Sequence, residues 1–342
     1  MKRTAVRDFF AYALLACSLA TLPVAASAQD GPIRQRLKER WMQRHQQASA
    51  SESSQPDGAI VRPGDYRYTI EHDGLTRQYL VHVPAGYTPA TSMPLLVALH
   101  GGGGSMDFQA DDHRYGLITK SEQEGFIVVF PNGYSRMKSG KLATWNAGKC
   151  CGAARDNQVD DVGFIRQVVA RVSQQVHVDR KRIYATGMSN GGMMAYRLAC
   201  EMPDVFRAIA AVAGTDNTVS CNPKTPVSIL HIHAKNDTHV LFDGGAGPGV
   251  PNEQAVTDFT SVGDTVSKWA KLNGCSAPPK RVLETAGAYC EVYASCRSRT
   301  EVELCVTQTG GHSWPGASQT RGEPASQAIS ANDVMWEFFS RR

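Results

Sequence analysis

The chain has 342 residues, 42% of them hydrophobic, enough for one large domain or two small ones. Its 36 Lys and Arg against 32 Asp and Glu give a formal net charge of +4. So mild an excess gives no ground for a nucleic-acid partner, and part of it sits in the short basic run Arg34, Arg36, Lys38, Arg40 and Arg44.

The N-terminus reads as a secretory signal over residues 1–28. Lys2, Arg3 and Arg7 precede an apolar stretch from Phe9 to Ala26, and Ala26-Ser27-Ala28 supplies small residues for cleavage. The stretch is too short and too rich in Ala and Ser for a stable membrane span, and no other segment is apolar enough. A second reading places a lipid on Cys17, because Leu14-Leu15-Ala16-Cys17 resembles a lipoprotein box, but that cut leaves an apolar tail in water. Residues 29–64 read as a polar extension, with a candidate helix over Ile33–Gln47 and a Ser-, Gln- and Gly-rich linker over 48–58. The compact domain is expected over 65–342.

From there strands and helices alternate. Tyr66–His72 and Arg77–Val83 alternate in polarity around Asp73-Gly74, a hairpin signal. Leu95–Leu99 and Phe126–Phe130 are short apolar runs suited to strands covered on both faces. Val162, Ile165, Val168, Val169, Val172 and Val176 fall at helical spacing. Further strands are expected at Arg182–Gly187, Phe206–Ala213, Val227–His233, Arg281–Tyr293 and Val302–Thr307, with helices over Gly191–Cys200, Val262–Leu272 and Ser326–Phe339. The alternation implies a doubly wound, mostly parallel α/β sheet with helices on both faces, whose ligands bind beyond the carboxyl ends of the strands.

The chemistry-bearing residues fall just after those strands. Gly187-Met188-Ser189-Asn190-Gly191 is G-x-S-x-G between a strand and a helix, the turn that lifts a serine hydroxyl into the open. A serine hydroxyl needs a base, and His312, in the small-residue loop Gly310–Gly316, is the only histidine after residue 239. The acid must lie between the two. Asp237 follows the strand Val227–His233, with Asp216 and Asp243 as reserves. For the oxyanion, Gly102 in the run His100–Gly104 and the amide of Asn190 are the expected donors. No Gly-Lys-Ser/Thr follows the glycines, which argues against a phosphate loop. His231, His233, Asp237 and His239 offer an alternative metal cluster. The two strand histidines lie in a buried run and read better as core residues, so neither metal nor cofactor is expected.

Beyond Cys17 there are eight cysteines, an even number that suggests disulfides in an exported chain. No pair of C-x-x-C knuckles offers a zinc site. Cys150 and Cys151 are adjacent and are expected to bridge separately to Cys200 and Cys221, because a ring closed between neighbours strains the peptide. Cys275–Cys296 and Cys290–Cys305 are the other expected pairs. Trp145 and Trp314 lie in loops at the same sheet edge and are candidates for a substrate clamp, with a purely structural role as the alternative.

The chain resembles the secreted α/β-hydrolase esterases grouped with polyhydroxybutyrate depolymerases and feruloyl esterases. The resemblance rests on Leu99–Ser105, Phe130–Gly133, Trp145–Gly148 with Cys150-Cys151-Gly152, Val159–Val162, Gly187–Gly192, His231–His233 and Gly311–Gly316. It covers roughly residues 65–340. It implies a serine esterase with phenolic, short acyl or polyester substrates, and it supports Asp237 as the acid. Cys290 and Cys305 are extra to the usual pattern. No separate polymer-binding segment is evident, so small or oligomeric esters are expected ahead of solid polyester. An amidase or peptidase could use the same three residues. A catalytically silent binding protein would have no physical reason to keep them.

Overall fold

A computed structural model describes residues 58–250, 258–318 and 324–342. The signal segment 1–28 and most of the 29–64 extension lie outside the described residues. The fold takes hold slightly before the expected boundary at Asp65: Ile60 is buried and its amide donates to Gln175 O.

The first hairpin forms as its sequence dictates. Strands β1 (Gly64–His72) and β2 (Leu75–Val83) pair antiparallel around Asp73 and Gly74. Both turn residues take positive φ, 50° and 71°, the conformation a two-residue hairpin loop requires. The chain continues through β3 (Met93–Leu99), three short helices α1 (Met106–Ala110), α2 (Asp112–Tyr115) and α3 (Leu117–Glu124), and β4 (Ile127–Pro131). Then come α4 (Gly152–Asp156), α5 (Asp161–Gln175), β5 (Val178–Met188), α6 (Asn190–Glu201), β6 (Ala208–Val212), β7 (Ser228–Ala234) and α7 (Val262–Leu272). The last elements are β8 (Lys280–Thr285), β9 (Ala288–Tyr293), β10 (Val302–Thr307) and α8 (Ala331–Ser340).

The ten strands form one sheet in the order β1-β2-β4-β3-β5-β6-β7-β10-β9-β8. The central run from β4 to β10 is parallel, and antiparallel strands finish both edges. Every residue of β3, β4, β6 and β7 is buried, because helices cover both faces. One face carries α5, α6 and α7, packed through Phe164, Val168, Leu198 and Trp269. The other carries α3 and α8, through Leu117, Met335 and Phe338. This is the α/β-hydrolase arrangement. No described helix is long and apolar enough to cross a membrane.

Three expectations need correction. Arg281–Tyr293 is not one strand but the hairpin of β8 and β9, broken at Gly287, whose φ of 90° suits a turn. The closing helix starts at Ala331 rather than Ser326. Ser330 caps it by accepting from Asp333 N, while Ser326 O is tied to Gly316 N in the preceding loop. The disulfides Cys275–Cys296 and Cys290–Cys305 pair as expected, the second directly across β9 and β10. Cys200, at the end of α6, instead bridges Cys221 in the loop after β6, with Cα atoms 5.4 Å apart. Neither is then available to Cys150 or Cys151, which are joined to each other across a cis peptide.

Candidate active site

Three loops at the carboxyl ends of strands in the parallel run hold the candidate residues: the turn after β5, the loop after β7 and the loop after β10. In the first, Ser189 sits between β5 and α6 with φ 56° and ψ −123°, a strained conformation for a residue with a Cβ. The turn is tight enough to demand its glycines. A Cβ on Gly187 would lie 2.5 Å from the Gly191 carbonyl, and one on Gly191 would collide with Leu99 O. Serine at a helix N-cap ordinarily turns its hydroxyl onto the helix amides. Ser189 makes no such bond. Its backbone is fixed instead, its amide donating to Val212 O and its carbonyl accepting from Met193 N.

In the second loop, Asp237 follows β7 and its side chain is wholly buried. Oδ1 accepts from the amides of His239 at 2.8 Å and Val240 at 3.0 Å. Oδ2 accepts from His312 Nδ1 at 2.8 Å and faces His233 Nε2 at 3.3 Å. Burial by itself would raise the carboxyl pKa, but donation from His233 and His312 outweighs it and holds the group well below the usual carboxylate range. The third loop presents His312, with Gly311 N anchored on Asn236 Oδ1 at 2.9 Å. Because a carboxylate only accepts, His312 carries its proton on Nδ1, which leaves Nε2 as the basic nitrogen. The reserve acids are otherwise placed. Asp216 accepts from Trp269 Nε1 and Lys268, and Asp243 is exposed.

The glycine run lies against the serine turn. A Cβ on Gly101 would stand 3.7 Å from Ser189 Cβ, and one on Gly102 would stand 3.6 Å from Asn190 Cβ. The amides of Gly103 and Gly104 are engaged, donating to Ala143 O and Gly101 O. Asn190 is the first residue of α6, so its amide has no partner within the helix. His100 braces this loop: Nδ1 donates to Gly101 O at 2.8 Å, while Nε2 accepts from Gly133 N at 2.9 Å. Burial pushes its imidazole down to about 4, in keeping with a neutral ring.

The proposed tryptophan clamp is corrected. Trp145 and Trp314 are both wholly buried and offer a substrate no ring face. Trp145 Nε1 donates to His100 O at 2.9 Å, and its ring packs on the His100 imidazole, so it supports the glycine loop from beneath. Trp314 packs edge-on against Tyr115 and donates to Asn332 Oδ1, pinning the His312 loop to α8. Loop position in the sequence gave the correct edge of the sheet. It carried no information on which way the rings turn.

Two neighbours of the site are residues that the sequence offers only as core or metal candidates. His233, placed in the core by its sequence context, touches Asp237. His239 stacks on His312, with ring centroids 4.6 Å apart and planes 19° from parallel. Burial and the neighbouring His312 lower the His239 pKa. Near-parallel rings direct their nitrogen lone pairs along separate planes, a poor arrangement for sharing one metal ion. His231 and His233 hydrogen-bond to each other and to protein groups.

Comparisons with known proteins give the family and the fold. A family model described as esterase PHB depolymerase matches residues 77–261. Feruloyl esterase B of Piromyces equi is 33% identical over 245 residues, covering 69% of this chain but 42% of that protein, so the chain spans less than half of that relative. Probable feruloyl esterase C of Aspergillus niger is 32% identical over 274 residues, covering 77% of this chain and 83% of the relative. Among solved structures, the acetyl xylan esterase from Aspergillus awamori superposes with a TM-score of 0.55 at 17% identity, covering 81% of this chain and 99% of that one, a likeness of fold. The chain therefore belongs to the esterase PHB depolymerase family, carboxylic-ester hydrolases built on the α/β-hydrolase fold.

Proposed function

We propose that this protein is an exported esterase in which Ser189 is the nucleophile, His312 the general base and Asp237 the orienting acid, acting on feruloyl-type or short acyl and hydroxyalkanoate oligomer esters. The observation that carries the reading is the His312 Nδ1–Asp237 Oδ2 bond of 2.8 Å at the sheet edge where Ser189 stands uncapped. Ser189 Oγ attacks the ester carbonyl carbon as its proton passes to His312 Nε2. The oxyanion is held by the amides of Gly102 and Asn190. As the tetrahedral species collapses, His312 returns the proton to the departing alkoxide and an acyl-serine remains. Water, deprotonated by the same nitrogen, then releases the acid and restores Ser189.

The substrate class is supported by the feruloyl esterases among the relatives and by the family's description. Export is supported by four disulfides, which persist in oxidising compartments, together with the signal-like N-terminus. The test is hydrolysis of methyl ferulate, p-nitrophenyl acetate, hydroxybutyrate oligomers and a matched peptide amide, before and after treatment with a serine-directed phosphonate. Ester turnover abolished by the phosphonate is expected. Turnover that survives full labelling of Ser189, or preference for the amide, would overturn the reading.

A further inference from the structure

Behind Asp237 runs a buried chain of side chains that the proposed chemistry does not use. His233 lies on β7 with a fully buried side chain. Its Nε2 is 2.8 Å from Val240 O and 3.3 Å from Asp237 Oδ2. Both oxygens only accept, so Nε2 carries a proton, bonded to Val240 O with Asp237 Oδ2 as its longer second contact. In a neutral ring Nδ1 is then an acceptor. It lies 3.1 Å from His231 Nε2, which must donate. That leaves His231 Nδ1 to accept from Tyr196 OH at 2.8 Å. The carbonyl of Val240 thus sets one direction for the whole series, Tyr196 to His231 to His233 to Asp237. Burial holds the His231 pKa well below its ordinary value and keeps that ring neutral.

We propose that His233 is a positioning residue for Asp237: its Nε2–H fixes the same carboxylate oxygen that His312 uses, and Tyr196 and His231 lock the tautomer and plane of its ring. The proposal rests on the Ser189–His312–Asp237 reading above. The backbone amides of His239 and Val240 hold Oδ1. His233 is the second side chain against Oδ2, its Nε2 at 3.3 Å beside His312 Nδ1 at 2.8 Å. Without it the carboxylate keeps its place in the loop but can rotate out of line with His312 Nδ1, and orientation of the base is lost before substrate binding is.

The experiment compares His233→Leu, His233→Gln and Tyr196→Phe in the full chain, each also combined with Asp237→Asn, with the melting temperature measured for every variant. Leu removes the donor, whereas Gln returns an amide N–H at similar reach. Expected for His233→Leu is a kcat reduced roughly tenfold or more with KM little changed, in the range usual for groups that orient a reacting residue. His233→Gln should recover most of that loss, and Tyr196→Phe should fall between Gln and wild type. In the Asp237→Asn background the His233 substitutions should add little, because the group they act through is already disabled. A folded His233→Leu protein with wild-type kcat would overturn the proposal, as would a loss that multiplies in full with that of Asp237→Asn. Should the Leu variant fail to fold, His233→Asn, whose shorter amide cannot reach Oδ2, takes its place, and a folded Asn variant with wild-type kcat would overturn the proposal. Full activity in Asp237→Asn alone would instead defeat the reading of the triad, a result distinct from any failure at His233.

Discussion

Asn190 grips the backbone of Trp145 at both ends of its side-chain amide: Oδ1 accepts from Trp145 N at 2.7 Å and Nδ2 donates to Trp145 O at 3.0 Å. The residue whose own amide begins α6 beside Ser189 thereby fastens the loop that supports His100 and the glycine run. The serine turn and the proposed oxyanion donors are consequently one rigid unit, held by hydrogen bonds across some 45 positions of chain.

Ser189→Ala should leave the melting temperature close to wild type and reduce kcat by about 10⁴-fold or more. The hydroxyl takes no part in capping α6, so its loss removes chemistry and no structural bond. A p-nitrophenyl acetate assay beside a thermal melt checks both halves.

Trp145→Ala and Trp314→Ala should each lose about 3–5 kcal/mol of stability, the usual range for emptying a buried aromatic site. Any fall in activity should affect aromatic and acetate esters alike, because neither ring meets substrate. Urea denaturation and the ratio of KM values for methyl ferulate and an acetate ester provide the measurement. A selective rise in KM for the ferulate would restore the clamp.

Arg77 and Asp161 form a buried ion pair at 2.7 Å, with Asp161 also accepting from Asn146 N at 2.8 Å in the loop after Trp145. Burial raises the Asp161 pKa, Arg77 opposing it. Asp161→Asn would strand the guanidinium and should destabilise the fold by about 3–5 kcal/mol, whereas replacing both partners with apolar residues should recover much of that loss. Denaturant midpoints of the single and double variants test the difference.

His100 predicts an acid-sensitive fold. Its buried ring titrates at about 4, against 6.5 for the ordinary imidazole. Between those values the unfolded chain binds more protons than the folded one, so stability rises with pH. The contribution, about 3 kcal/mol, is complete above pH 6.5 and is lost as the pH falls towards 4. Urea midpoints measured through this window should slope upwards in the wild type and less steeply in His100→Gln.

The sequence by itself determined the strand-and-helix alternation, the G-x-S-x-G turn and the chain order of the candidate serine, acid and histidine. Each is a local signal: a hydrophobic period, a glycine-bounded turn, a residue type just after an apolar run. Asp237 was preferred to Asp216 and Asp243 for its place just after an apolar strand, and the packing of β7 beside β10 is what brings its carboxylate to His312. The tryptophans were correctly placed along the chain and wrongly turned, because ring direction is decided by partners far away in sequence, His100 for Trp145 and Tyr115 with Asn332 for Trp314. The cysteine pairing was missed at Cys150 and Cys151 for a related reason. Spacing could not reveal that the end of α6 and the following loop bring Cys200 and Cys221 together. Tertiary structure alone decided the line from Tyr196 through His231 and His233 to Asp237, since the direction of every bond in it is set by one backbone carbonyl, that of Val240.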